Sequence, residues 1–273
     1  MATLTKAAVP SQEEARPRFA FLRNERVLYG LLGFVVLLGA WEAASRLGLI
    51  KTSLMSSPSR VVEIAIDAFG SGEIWPHMWI SFQEWLFGFA ISLAIGIPIG
   101  LALGWFRKAE ALFGMLIPAF YSTPKVALAP LVILVAGIGF EAKVVTVVLL
   151  TVMAVMVNTM MGVMAVDKRH YDIARSFGAS RWLTFRAVAL PTAIPFILTG
   201  IRIGMGRALV GVVVAEFLSS TMGIGFYITF SGAVADTTRV MLGILILGIF
   251  GVIVGELIRR VDKRFDAWRP GIH

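Results

Sequence analysis

Six stretches of the chain are apolar almost without interruption, and polar residues collect between them. They cover about 27–44, 85–106, 111–136, 144–166, 193–215 and 240–258. A helix needs about 20 apolar residues to cross a bilayer, so each is long enough to be a span, the first and last being the shortest. The runs are continuous rather than alternating, which excludes a β-barrel. Backbone in hydrocarbon must satisfy its own hydrogen bonds. The pattern therefore predicts one all-α, polytopic domain with six transmembrane helices over 27–258, flanked by tails at 1–26 and 259–273. No small-x-small cleavage site follows the first run, which reads as an uncleaved span rather than a signal peptide.

Breaks within the runs carry more information than the runs themselves. The third holds Pro118, Pro124, Lys125 and Pro130, which predicts a bent helix set against protein or a cavity. Lys125 costs about 2.5–3.5 kcal/mol on insertion scales, so it must snorkel, pair or face water. In the second run Gly96, Gly100 and Gly104 recur every four residues, with Gly88 further up. Such a ridge lets helices approach closely, within the chain in preference to a dimer seam. Pro98 beside it predicts a kink. Asn158 in the fourth run either hydrogen-bonds a neighbouring helix or lies on a substrate path. Arg202 and Arg207 flank the middle of the fifth run, and Glu216 lies near its end. These arginines pair with buried partners such as Glu216 or Glu84, or line an aqueous passage where a cation attracts an anion. Lys125, Asn158, Arg202, Arg207 and Glu216 are the candidate passage residues. Between the runs, 60–69 reads as a short amphipathic helix, and 219–239 as a loop with a re-entrant or surface helix near Gly223 and Gly225.

Composition agrees with this picture. Of 273 residues, 58% are apolar and 15% charged, with mean hydropathy +0.82, against about 25% charged in soluble proteins. A net charge of +8 would point to nucleic acid in a soluble chain. Here the distribution decides: with the N-terminus inside, 17 of the 25 cations fall on one side. Five, Lys143 among them, fall on the other side, and three lie within spans. The positive-inside rule then places both termini and the 167–191 segment in the cytoplasm, with no nucleic-acid partner. The basic, aromatic C-terminal tail suits an anionic lipid leaflet. There is no cysteine, and the three histidines are too scattered to predict a metal site. No Gly-rich phosphate loop, paired carboxylates or Ser-His-Asp set is present, so neither ATP binding by the chain itself nor catalysis is expected.

The 167–191 segment is a basic island between two apolar runs. Lys168, Arg169, Arg175, Arg181 and Arg186 alternate with Ile173, Phe177, Trp182 and Phe185 at helical spacing. Gly178 breaks the segment, Ser180 is placed to cap a second short helix, and Leu190 with Pro191 is expected to end it. Two short amphipathic helices would present a surface to a partner; an ordinary cytoplasmic loop is the plainer reading.

The order acidic–x–Ala–x–x–x–Gly, then nine residues, an aliphatic, one residue and Leu-Pro resembles the EAA loop of ATP-binding cassette (ABC) importer permeases. Asp172, Ala174, Gly178, Val188, Leu190 and Pro191 carry it, with Asp172 in place of Glu, Ile173 in place of the first Ala and Val188 in place of Ile. The resemblance implies that Asp172, Ala174, Arg175, Phe177, Gly178, Ala179, Ser180, Leu190 and Pro191 form a coupling surface seated in a groove of a separate ATPase. Pro124 to Pro130, Gly137 and Gly139, Asn158 and Thr159, Leu198 to Gly204, and Ala215 and Glu216 followed by Gly223 and Gly225 look like the nitrate/sulfonate/taurine branch. This likeness implies a type I importer permease fold in a bacterial inner membrane. It also implies two copies of the chain as a homodimer, an ATPase subunit dimer binding ATP and Mg, an extracytoplasmic substrate-binding protein and no cofactor in this chain. The cargo would be a sulfonate, taurine, nitrate or similar small anion, moved as ATP shifts the helix at 171–182. An ion-gradient-driven secondary transporter is the alternative; it needs a titrating carboxylate in a span, for which Glu84 and Glu216 are the best placed.

Overall fold

The computed structural model describes residues 25–51 and 55–264; the N-terminal tail up to residue 24 and the C-terminal tail beyond Arg264 lie outside the described residues. Among the described residues every regular element is helical. The chain divides into two compact units, 1–59 and 60–273. In the first, α1 (Glu25–Arg46) keeps its apolar side chains exposed, as a lipid-facing helix does. Near its end Glu42 accepts hydrogen bonds from Arg46 Nε (2.7 Å), Ser59 N (3.0 Å) and Ser59 Oγ (2.8 Å).

α2 (Pro58–Gly70), all but its first two residues in the second unit, is the amphipathic helix expected from 60–69. It buries Val61 and Ala68 against Ile74, Ile224, Tyr227 and Leu242 and leaves Val62 and Ile66 exposed. α3 (Ile74–Trp105), α7 (Phe140–Met164) and α10 (Leu190–Ser219) form the core of the bundle, and α12 (Thr237–Arg264) packs beside them. All four begin before their apolar runs, and α10 and α12 also end beyond them, because hydropathy detects the hydrocarbon-embedded part and not the interfacial turns. α3 continues through Pro98 without a break.

The glycine ridge explains the core. A Cβ at Gly88 would strike Val147, at Gly96 Val155, at Gly100 Thr159 and at Gly104 Val163, all at 3.0 Å or less. The offset is 59 residues at each contact (147 − 88 at one end, 163 − 104 at the other), so α3 and α7 run parallel in close contact. The glycines of α10 meet some of the same α7 residues: Gly200 meets Val155 and Asn158, and Gly211 meets Val147, the reversed order of an antiparallel pair. Without a hydrophobic drive in lipid, van der Waals contact between near-touching backbones holds such helices together. The ridge is an intramolecular seam.

The third apolar run is broken as its prolines predict. It is divided into α4 (Arg107–Phe113), α5 (Leu116–Ser122), a tight turn at Lys125–Leu128 and α6 (Ala129–Ala136), with an 80° bend between the halves. Counting this pair as one span, six segments among the described residues are long and apolar enough to cross a membrane. Gly137, at φ +79°, ends α6. The loop after α10 carries the short helix expected there, α11 (Ile224–Ala233).

Candidate functional site

The 167–191 segment folds into α8 (Lys168–Ser176) and α9 (Arg181–Thr184). Asp167 caps α8 by accepting from Arg169 N at 2.9 Å. Gly178 adopts φ +73°, and its N–H reaches Arg175 O (2.9 Å) while Ala179 N–H reaches Ala174 O (3.0 Å). This bond pair closes a helix that ends on a left-handed residue. Ser180 Oγ then caps α9 by accepting from Leu183 N at 3.2 Å. The resulting corner leaves Ile173, Phe177, Trp182 and Leu183 exposed, Phe177 at 87%. Asp172, Arg175, Gly178 and Ser180 are exposed with them, and Ala174 and Ala179 are half-buried.

Leu190 and Pro191 do not end this segment, contrary to expectation. The helix continues from Arg181 to Ser219, passing through a wider π turn at Phe185–Ala189 in which Leu190 N–H bonds Phe185 O. Pro191 brings no N–H and crowds the preceding carbonyls, and a π turn is one way a helix absorbs such a defect. Both residues are half-buried, so they belong to the root of the segment rather than to its exposed corner.

Trp105 and Tyr171, which sequence reading missed, join Trp182 and Phe185 in an aromatic group that anchors the corner to the bundle. Trp105, the last residue of α3, lies 6.0 Å from the Tyr171 ring and 5.1 Å from Phe185, and Phe185 stacks on Trp182 at 5.7 Å. Val163, Val166, Ala189 and Ala193 are buried beneath them. Burial raises the Tyr171 phenol above its ordinary pKa. α8 thus packs, through Tyr171, where the ends of α3, α7 and α10 meet.

The passage candidates do not form one cluster. Lys125 and Arg207 converge on Tyr121, a residue that sequence reading did not single out, since the bend removes the helical spacing linking it to Lys125. Arg207 Nη2 donates to Tyr121 Oη at 2.9 Å. Lys125 Nζ caps the end of α5, donating to the carbonyls of Phe120 (2.9 Å), Tyr121 (3.1 Å) and Thr123 (3.4 Å). Arg202 is exposed; five residues along α10 from Arg207, it points about 140° away around the helix axis. Asn158 packs its Cβ toward Gly200 but donates to Ala154 O (2.7 Å) of its own helix, so the expected bond to a neighbouring helix is not formed.

Glu216 is a capping residue at the opposite end of the bundle. Its buried carboxylate accepts from Ser81 Oγ (2.6 Å) and Gly225 N (2.5 Å), while Ser81 Oγ accepts from Ile224 N (2.8 Å). It thus satisfies the first amides of α11, where an anion is favoured. Lys143 is not an outer-loop cation: it is buried, paired with Glu84 and bonded to Ser220 Oγ at 3.1 Å. Arg207 therefore pairs with neither acid considered for it. Nearby, a cavity of about 200 Å³ is lined by Glu73, His77, Tyr227, Asp236 and Arg239. Burial acts to raise the Asp236 pKa, but donors from Arg239 outweigh it and hold the carboxyl below its usual range.

A bundle of apolar spans with an exposed apolar and basic corner outside them is the architecture of an integral membrane protein. More particularly, residues 95–267 match the family described as binding-protein-dependent transport system inner membrane component, and the chain belongs to that family. A probable ABC transporter permease of Brucella abortus (strain 2308) is 30% identical over 239 residues, 88% of this chain and 94% of that protein. The putative aliphatic sulfonates transport permease SsuC of Escherichia coli (strain K12) is 32% identical over 239 residues, 88% of this chain and 91% of that one. The fold is similar to a chain of the MetNI methionine ABC transporter in an inward-facing conformation. The TM-score is 0.56 at 20% identity, covering 72% of this chain and 94% of that one. This is an ABC importer permease of the inner membrane, a transport subunit and not an enzyme. Importers of this kind work with an ATPase and a substrate-binding protein. The gradient-driven reading is not favoured, and Glu84 and Glu216 are both engaged in structural contacts.

Proposed function

We propose that this permease carries a small anion of the sulfonate kind and is driven through 171–182 by a separate ATPase dimer that binds ATP and Mg. A second copy of the chain completes the passage, and an extracytoplasmic binding protein delivers the cargo. Both termini lie in the cytoplasm, as the cation distribution requires. The observation that carries the coupling role is the α8–α9 corner, where Ile173, Phe177, Trp182 and Leu183 are exposed on capped, aromatically anchored helices. Apolar groups gathered this way mark a protein contact. The anion class is supported by the sulfonate relative and by the convergence of Lys125 and Arg207.

The chain has no native cysteine, so Ala179→Cys gives a single reporter. A membrane-impermeant thiol reagent is expected to label it in inverted vesicles but not in right-side-out ones, and labelling should fall when the ATPase subunits are assembled. Labelling from the outside, or labelling indifferent to the ATPase, would overturn the proposal.

A further inference from the structure

The geometry points to a single anion-contact site made by Tyr121, Lys125 and Arg207, with Tyr121 positioning the two cations; the inference rests on the anion reading above. The three side chains come from α5, the bend and α10. The Arg207 guanidinium carbon lies 5.0 Å from the Tyr121 ring centroid, and Lys125 Nζ lies 5.6 Å from the same centroid. An aromatic face attracts cations at these distances, so one ring holds both.

Among the described residues no carboxylate lies within ion-pair distance of Lys125 or Arg207. Two like charges thus sit together in a span, Lys125 held only by the carbonyls at the end of α5 and neither facing a carboxylate, an arrangement that a visiting anion relieves. The donors for that anion are in place. Tyr121 Oη accepts from Arg207 and keeps its own proton to donate. Arg207 has further N–H groups beyond the one used on Tyr121. Lys125 has all three N–H bonds on carbonyls, the longest being 3.4 Å to Thr123, and that one is the first to be exchanged for an anion oxygen. Tyr121 is 38% exposed, on a face that this chain leaves open. A monoanion with three equivalent oxygens, as in a sulfonate, can engage all three groups at once; a neutral solute cannot replace the missing counter-charge.

The test uses the assembled transporter in lipid with Ser122→Cys, an exposed position next to Tyr121, as the only cysteine of this chain. Labelling by the neutral reagent N-ethylmaleimide is followed against sodium ethanesulfonate, with sodium chloride at matched ionic strength as control. Ethanesulfonate is expected to protect saturably. Adding Tyr121→Phe, which keeps the ring, should raise the half-protecting concentration about tenfold, the weight of one hydrogen bond to a charged group. The labelling rate without anion should stay the same. Absence of saturable protection, or protection indifferent to both Tyr121→Phe and Arg207→Gln, overturns the site. Tyr121-dependent protection in a transporter that moves only neutral solutes would support the site and overturn the anion reading of transport.

Discussion

Gly178 separates what the chain needs for itself from what a partner needs of it. It holds φ +73°, and no atom of the chain outside its immediate neighbours lies within 4 Å of where a Cβ would be. A side chain there costs about 1–2 kcal/mol of backbone strain at the end of α8 and meets no steric obstacle inside the chain. Asparagine tolerates this conformation better than other residues with a side chain. Gly178→Asn thus adds modest bulk at low strain, Gly178→Ala adds strain with little bulk, and Gly178→Trp adds both. If the corner enters a groove of an ATPase, bulk decides. Gly178→Trp should then lower uptake and ATPase co-purification at least about a hundredfold, equivalent to about 2.7 kcal/mol of docking, with Asn and Ala well above it. Uptake into vesicles, normalised to the permease present by immunoblot, reads this directly. Normal uptake by Gly178→Trp at normal protein level would refute the docking argument, and equal loss of protein in all three variants would assign Gly178 to folding alone.

The glycine seam and the buried ion pair yield two stability predictions, both read by tryptophan fluorescence during thermal unfolding in detergent. At Gly100 a Cβ would lie 2.5 Å from Met156 O and 2.7 Å from Thr159 Cβ, whereas at Gly206 it meets nothing within 4 Å. Gly100→Ala should therefore cost about 1–3 kcal/mol, while Gly206→Ala gains up to about 1 kcal/mol of helix propensity; equal midpoints would remove the seam argument. Glu84→Gln leaves Lys143 buried without its counter-ion and should cost about 3–5 kcal/mol, most of it recovered when Glu84→Leu and Lys143→Leu are combined. A combined variant no more stable than Glu84→Gln would show that this pair does not govern stability there.

Length and hydropathy alone revealed the helical spans, because transfer of a segment into hydrocarbon is a sum over its own residues. Local punctuation was legible for the same reason. Pro118, Pro124 and Pro130 announced the broken span, and Gly178 and Ser180 announced the turn between α8 and α9, since backbone restrictions act within a few positions. The family resemblance at 172–191 likewise lay in contiguous sequence. Helix continuity across Pro191 was not legible, because a π turn held by the packing of Val188 and Ala189 against the bundle outweighs the local preference. Partner choice was decided only in three dimensions. Lys143 went to Glu84 and Glu216 to the start of α11, Asn158 turned back on its own helix, and Arg207 found Tyr121 at a separation of 86 residues. Which polar groups meet depends on the register between helices, and that register is set by how closely α3 and α10 approach α7 at their glycines, a contact between distant positions that no local window of the sequence contains.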